Sequence, residues 1–341
     1  MKPDRCPSGK RWRWAMAMLL AVSPLVNAAG EYAPSTNDQA RAMVDRLAES
    51  GLDRRELTAA LDQASRQQKI IDAISKPAER HLRWDQYRNI FIKPERIAGG
   101  VDFIRDHRDA MARAEQEYGV PREIIAAIIG VETWYGGNTG SYRVIDALTT
   151  LAFDYPPRSD FFGRELESFL TLTSEQGLDP LELKGSYAGA MGLPQFMPSS
   201  YQAYAVDFND DGIKDLWKEP VDAIGSVANY FAEHGWRPGR PLTVAAHLNT
   251  SEKPEDIDFN QAKPPYMRVA DLQKKGVVAD IAIPEDEEVI PLALDYADGH
   301  NDYLFGLHNF YVITRYNHSH LYAMAVTTLA EQIQAALQRE S

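Results

Sequence analysis

Apolar side chains recur at every third or fourth position along most of this chain, a period that buries one stripe of an α-helix and predicts a mainly helical protein. Residues 39–61 give two short amphipathic helices, with Met43 and Leu47 in the first and Leu57, Ala60 and Leu61 in the second, split by Gly51-Leu52-Asp53. Lys76-Pro77 breaks the helix that follows, because proline has no N–H and crowds the preceding turn. Trp84, Tyr87 and Phe91 then form an aromatic cluster at helical spacing, suited to a core or to a groove wall. Residues 97–118 predict one longer helix, and residues 146–153 and 161–172 two more, interrupted by Tyr155-Pro156-Pro157-Arg158. A further helix spans 221–234, and a last amphipathic one 319–337. Between them the texture changes: prolines, charges and short apolar runs at 242–248, 289–296 and 309–316 predict a small β-containing insert over 240–315, with a hairpin near Asp298-Gly299.

The most informative helix lies in 118–137, YGVPREIIAAIIGVETWYGG. Pro121 suits a first turn, where its missing N–H has no partner in any case, and Gly136-Gly137 stop the run. At about 100° per residue, Glu132 points within about 60° of Ile125, Ile128 and Ile129, so a carboxylate sits on the apolar stripe. Such a group is either paired or reluctant to ionise, and a carboxyl that keeps its proton near neutral pH can give it to a leaving oxygen. The plainer alternative is a helix-end glutamate turned to solvent or held by a buried arginine. The glycine-rich loop 137–140 follows a helix C-terminus, so it does not resemble a phosphate cradle.

Composition narrows the class. A chain of 341 residues, 44% hydrophobic and 10% aromatic, can bury two or three cores. Arg5, Lys10, Arg11 and Arg13 precede an apolar run at 14–20 and the small-residue site Val26-Asn27-Ala28, the pattern of a secretory signal peptide cleaved after Ala28. Its apolar segment is too short to span a bilayer. The sole cysteine, Cys6, lies before that segment rather than after it, so no lipid anchor is expected and the mature chain holds no disulfide. Removing residues 1–28 takes away two Lys, three Arg and one Asp and moves the net charge from −13 to −17. So acidic a body disfavours nucleic acid and anionic membranes, whose binding depends on basic contacts.

Two further stretches carry candidate chemistry. The turn 185–201, GSYAGAMGLPQFMPSSY, combines glycines that permit close backbone approach with the polar side chains of Ser186, Tyr187 and Gln195, and can serve a turn or a ligand wall. The loop 207–222, DFNDDGIKDLWKEPVD, places Asp207, Asn209 and Asp211 at positions 1, 3 and 5, Gly212 at 6, Ile213 at 7 for its carbonyl and Asp215 at 9, as a hard cation such as Ca²⁺ requires. Position 12 is Lys218 in place of the usual glutamate, so a later carboxylate, Asp222 or Glu219, must close the site. His318 and His320 read as exposed turn residues rather than metal ligands.

Taken together, VETWYG at 131–136, the turn 185–201, the loop 207–217 with PVDAIGSVANYF at 220–231, and FYVITRYNHSHLYAMAV at 310–326 resemble the lytic murein transglycosylase B family over nearly the whole mature chain. The resemblance implies a mainly α fold with a small β insert (α+β): a lysozyme-like catalytic core, an added helical region and a small antiparallel β domain. It divides the chain into a signal peptide (1–28), a flexible leader (29–38), a helical region (39–100), the core with its EF-hand-like loop (101–239), the β-containing domain (240–315) and a helix returning to the core (316–341). By the same resemblance Glu132 is the acid and then the base. The glycan groove maps to Tyr87, Arg158, Ser186, Gln195, Phe196, Tyr230, Tyr316, Asn317 and Tyr322, with Tyr316 and Asn317 orienting the glutamate or a substrate acetamido group. The calcium ligands map to Asp207, Asn209, Asp211, Ile213 through its carbonyl, and Asp222. The implied reaction is non-hydrolytic cleavage of the β-1,4 bond between N-acetylmuramic acid and N-acetylglucosamine, giving 1,6-anhydro products in the periplasm. Expected partners are peptidoglycan glycan strands and cell-wall synthases. Two alternatives stay open: a hydrolytic muramidase pairing Glu132 with Asp146, Asp154 or Asp160, and a non-catalytic, Ca²⁺-stabilised glycan-binding protein.

Overall fold

The computed structural model of the protein describes residues 30–75 and 82–340. The expected signal peptide, Cys6 and the break at Lys76-Pro77 lie outside the described residues. Residues 30–37, expected as a flexible leader, are instead turns that pack on the body: Tyr32 is buried, and its hydroxyl donates to Asp154 at 2.5 Å. Helices α1 (Asp38–Glu49) and α2 (Arg54–Asp62) start where short polar side chains satisfy the first N–H groups, Asn37 accepting from Ala40 and Asp53 from Arg55 and Glu56. α3 (Gln68–Ser75) follows, and α4 (Trp84–Phe91) buries its whole aromatic cluster.

The single helix expected over 97–118 is two, α5 (Pro94–Asp106) and α6 (Arg108–Tyr118). His107 leaves helical geometry (φ −115, ψ 32), so each half can turn its own apolar stripe inward. α7 (Arg122–Thr133) is buried on every side through Val131, as its nearly continuous apolar sequence demands. α8 (Val144–Asp154), a 3₁₀ turn at Pro156–Arg158 and α9 (Ser159–Gln176) form a packed pair. The pair β1 (Tyr142–Arg143) and β2 (Lys184–Gly185) leads into the glycine-rich turn, then α10 (Pro198–Tyr204) and α11 (Pro220–Glu233).

The insert is an antiparallel five-stranded sheet in the order β4-β6-β7-β3-β5. It comprises β3 (Thr243–Leu248), β4 (Met267–Arg268), β5 (Val277–Ala279), β6 (Glu288–Asp295) and β7 (Asn301–Gly306), with α12 (Val269–Lys274) against it. β6 explains its own unbroken apolar run by alternation: Val289 and Ala293 face the small core of the insert, while Ile290, Leu292 and Leu294 join the main core. The hairpin near Asp298-Gly299 joins β6 to β7. The run 309–316, expected within the β region, is helical: α13 (His308–Tyr316) buries Phe310, Val312 and Ile313, packing having overridden its β-branched composition. α14 (His320–Glu340) then returns and packs on α7, α5 and α4. His320, expected in an exposed turn, opens this helix half-buried, and burial lowers its pKa to about 4.

Candidate active site

Glu132 lies in the last turn of α7, and that end is built in an unusual way. The helix stops at Thr133, three residues before the expected glycine stop, because Trp134 (φ 53) and Tyr135 (φ 58) both adopt left-handed geometry. This conformation crowds Cβ and costs a non-glycine residue about 1 kcal/mol or more, so the surroundings must hold it. The Thr133 hydroxyl donates to the Leu193 carbonyl at 2.9 Å and accepts from the Gly136 N–H at 3.1 Å. The Tyr135 hydroxyl donates to the Arg96 carbonyl at 2.8 Å. Its ring fills a slot where a Cβ on Gly130 would come within 2.5 Å of the hydroxyl oxygen.

Held there, Glu132 is half-buried, and the Tyr322 hydroxyl donates to its Oε1 at 2.6 Å. Tyr322 comes from the first turn of α14 and is 2% exposed. Its ring is nearly parallel to that of Tyr316, at 6.4 Å and 9°. Tyr316, at the end of α13, donates to the Pro194 carbonyl at 2.5 Å and so ties the glycine-rich turn to this wall. Phe196 at 5.9 Å and Tyr230 at 4.8 Å pack on the Tyr316 ring, and the Tyr230 hydroxyl donates to the Arg315 carbonyl at 2.7 Å. Burial, and after it the negative charge of Glu132, push the phenols of Tyr322 and Tyr316 well above the usual tyrosine range. Both are therefore permanent donors at neutral pH. Tyr87 is buried near Tyr322 and raises its pKa further, its own ring lying 5.2 Å from Phe91.

Glu132, Tyr87, Phe196, Tyr230, Tyr316 and Tyr322 thus form one connected cluster. The remaining sequence candidates stand in other contacts. The Ser186 hydroxyl accepts from the N–H groups of Ala188 and Ala190, a role inside its own turn, while Tyr187 beside it is exposed. Gln195, also left-handed at φ 51, donates to the carbonyls of Thr139 at 3.2 Å and Gly192 at 2.9 Å. Exposed Arg158 stacks over Phe161 at 4.3 Å, and exposed Asn317 ends α13. The carboxylates considered as second catalytic groups are engaged elsewhere or exposed: Asp146 holds Arg143 and the Ser65 N–H, Asp154 accepts from Tyr32, and Asp160 faces solvent. Sequence patterns gave no sign of Arg96, a buried cation 4.2 Å from the Trp134 ring centroid; only its company of aromatic residues in space distinguishes it.

The acidic loop is folded around its own backbone. Asp207 accepts from the N–H groups of Asp211 and Gly212, Asn209 from Asp211, and Asp211 from Ile213, with Gly212 at φ 91 making the sharp bend. Asp222, on α11, is fully buried and accepts from the N–H groups of Phe208, Asn209 and Asp215. Burial raises its pKa against the pull of these bonds. The Ile213 side chain faces outward, 57% exposed. Among the described residues no set of three or more His, Cys, Asp and Glu side chains is grouped to hold a metal. The expected donor set is instead mixed, with the Asn209 amide and the Ile213 main-chain carbonyl beside carboxylates. Oxygen donors around a glycine bend, backed by a buried carboxylate, fit a hard cation.

Comparison with known proteins places this geometry. A family model described as a transglycosylase SLT domain matches residues 35–331. The membrane-bound lytic murein transglycosylase B of Escherichia coli K12 is 43% identical over 317 residues, covering 90% of this chain and 85% of that protein. The solved structure of the soluble lytic transglycosylase SltB1 from Pseudomonas aeruginosa is 50% identical with a TM-score of 0.83, covering 88% of this chain and 99% of that one. The Escherichia coli lytic transglycosylase Slt35 in complex with calcium is 42% identical with a TM-score of 0.82, covering 92% and 99%.

Proposed function

The chain belongs to the lytic murein transglycosylase B family of transglycosylase SLT domains, and from that membership we infer the chemistry of its half-buried glutamate. The protein is a lyase that cleaves the β-1,4 bond between N-acetylmuramic acid and N-acetylglucosamine without consuming water, leaving 1,6-anhydro ends on peptidoglycan strands. Glu132 acts first as acid and then as base. The observation that carries this assignment is the Tyr322 hydroxyl on Oε1. Because that oxygen is an acceptor, a proton carried by the carboxyl sits on Oε2, from which it passes to the glycosidic oxygen. The substrate's own acetamido oxygen then meets the positive charge at C1. The carboxylate, now basic, takes the proton of the C6 hydroxyl as that oxygen closes on C1. An internal hydroxyl held against C1 outcompetes bulk water where the aromatic wall of Tyr316, Tyr322, Phe196 and Tyr230 limits its access.

The groove residues are assigned in the same spirit. Tyr87, Phe196, Tyr230, Tyr316 and Tyr322 form the wall. Ser186, Gln195, Asn317 and Arg158 offer polar contacts along the strand, supported by their lying on the glycine-rich turn and at helix ends. The loop would hold Ca²⁺ through Asp207, Asn209, Asp211, the Ile213 carbonyl and either Asp222 or Glu219. When bound, the ion supplies positive charge that neutralises clustered carboxylates and fixes the loop. A relative crystallised with calcium supports this choice of ion. The proposed division is a helical region over 39–100, a core over 101–239 and a β insert over 240–315; its support is that every strand of the larger sheet lies between Thr243 and Gly306, with α13 already begun at His308. Action in the periplasm after signal-peptide cleavage, alongside cell-wall synthases, completes the proposal; no helix of the described residues is long and apolar enough to cross a membrane.

Mass spectrometry of the products from purified murein tests the reaction. Anhydro ends without label from ¹⁸O water are expected. Reducing muramic ends carrying the label would establish a hydrolase instead.

A further inference from the structure

The chemistry above leaves unused a side chain two residues beyond the acid. Trp134 is 39% exposed, one of the few large apolar side chains left open to solvent among the described residues. It occupies a left-handed position, φ 53, where glycine or asparagine fits with less strain. An indole that is strained in its backbone and this open to solvent presents, beyond its contact with the buried Arg96, a surface that the fold does not use. Beneath it lies Arg96, 7% exposed, with its guanidinium 4.2 Å from the Trp134 ring centroid and 5.2 Å from that of Phe91. Arg96 Nη1 donates to the Ile90 carbonyl at 3.1 Å, while its buried Nε has no acceptor among the described residues. No carboxylate among the described residues pairs with this cation; aromatic faces hold it. Since the guanidinium covers one face of the indole, the exposed area is the other face and the edge.

This stack is continuous with the wall around the acid. Tyr87, which acts on Tyr322, packs on Phe91 at 5.2 Å, and Phe91, Arg96 and Trp134 continue the row outward. Along the chain, the Cα of Trp134 can be no more than about 7.6 Å from that of Glu132. We propose that Trp134 is a stacking platform for a pyranose ring of the glycan strand beside the cleavage site, with Arg96 as the positioning residue that holds the indole in place. A pyranose presents C–H groups on its face, which pack on an aromatic plane while the sugar's hydroxyls stay in water. The cation fixes the indole from behind, so little rotational freedom is lost on binding.

The proposal rests on the glycan-cleaving assignment, and binding measured without cleavage separates the two. An N-acetylglucosamine hexasaccharide is titrated by calorimetry into Glu132→Gln protein and into the same protein carrying Trp134→Ala or Trp134→Phe. The Ala form is expected to bind about tenfold more weakly, as for an aromatic anchor at a contact centre, and the Phe form within about threefold of the parent. In the wild-type background Trp134→Ala raises KM for murein strands with kcat held, and Arg96→Met gives a smaller rise of the same kind. Equal affinity of the Ala and Trp forms overturns the platform. So does a fall of kcat and melting temperature together that Trp134→Phe does not rescue, since that is a structural role. No binding by the Glu132→Gln parent overturns the glycan assignment itself.

Discussion

The molecule holds two acidic places that solve the same problem by opposite means. Glu132 receives its hydroxyl donor from Tyr322, 190 positions away, and is walled by rings from four separate stretches of chain. In the loop, Asp207, Asn209 and Asp211 are met by backbone N–H groups two to five positions on. One carboxylate is thus isolated by tertiary structure; the others are clustered by local geometry. Isolation among phenols gives Glu132 a buried hydroxyl partner on Oε1. Clustering around a glycine bend brings like charges to close range, where backbone N–H groups meet them and a cation would ease their repulsion. The roles proposed for them follow this difference, reaction at the first and stability at the second.

The largest effect that could break this contrast belongs to Glu132→Gln. Activity on murein is expected to fall about a thousandfold or more, the scale of a lost general acid, with the melting temperature unchanged because the amide oxygen still accepts from Tyr322. Retained activity would give the reaction to another group. Next in size is Asp222→Ala, which strands the N–H groups of Phe208, Asn209 and Asp215. A loss of about 2–4 kcal/mol in stability is expected by denaturant titration, with kcat little changed. A fall in kcat at unaltered stability would join the loop to the reaction and dissolve the contrast.

How far each place can be seen in the sequence follows from the same distinction. The loop is legible because its spacing is local: Asp207, Asn209, Asp211 and Gly212 announce themselves in six consecutive positions. Helical phase alone puts Glu132 on the apolar stripe, where it lies half-buried, but its partner is not legible, since nothing in the sequence pairs position 132 with 322 except resemblance to relatives. Helix ends depend on more than local sequence. The stop expected at Gly136-Gly137 comes at Trp134 and Tyr135, whose left-handed geometry is enforced by a tyrosine slot between helices. The run 309–316 looked like a strand because Val312, Ile313 and Thr314 favour one, and became helix because Phe310 and Ile313, three apart, meet the core together. Arg96 was invisible for a related reason: a lone arginine near a helix start is usually solvated, and its burial depends on Phe91 and Trp134 closing over it.

Calcium sharpens the contrast from the loop's side. Saturating Ca²⁺ at about a hundredfold excess over Kd is expected to add about 2.7 kcal/mol of stability by linkage, read as a rise in melting temperature that a chelator reverses. Asp207→Ala and Asp211→Ala abolish that rise. Calorimetry in the two backgrounds should show the dependence vanish while Glu132-dependent cleavage at low temperature persists. An equal melting temperature of the wild type with ion and with chelator would show the loop to be an Asx-rich turn that binds nothing.

Tyr322→Phe is the smallest perturbation and the most specific to the acid. It removes one hydroxyl at 2.6 Å and leaves the ring that packs beside Tyr316. A loss of about tenfold in kcat is expected, about 1.4 kcal/mol, the scale of one hydrogen bond to a carboxyl group. Its pH dependence carries the argument. Burial and the charge of Glu132 raise this phenol far above a tyrosine's ordinary pKa, so it stays protonated across the working range, and the variant's deficit should be the same at pH 6 and pH 9. The stability sign follows. Above about pH 10 the unfolded chain ionises this tyrosine while the folded state keeps the proton, so stability present below pH 10 is lost as pH rises. The wild type should therefore lose stability at alkaline pH more steeply than Tyr322→Phe. A deficit that disappears as pH rises through about 10 would mean that the phenol ionises in the ordinary way, and that the acid is less isolated than the loop is clustered.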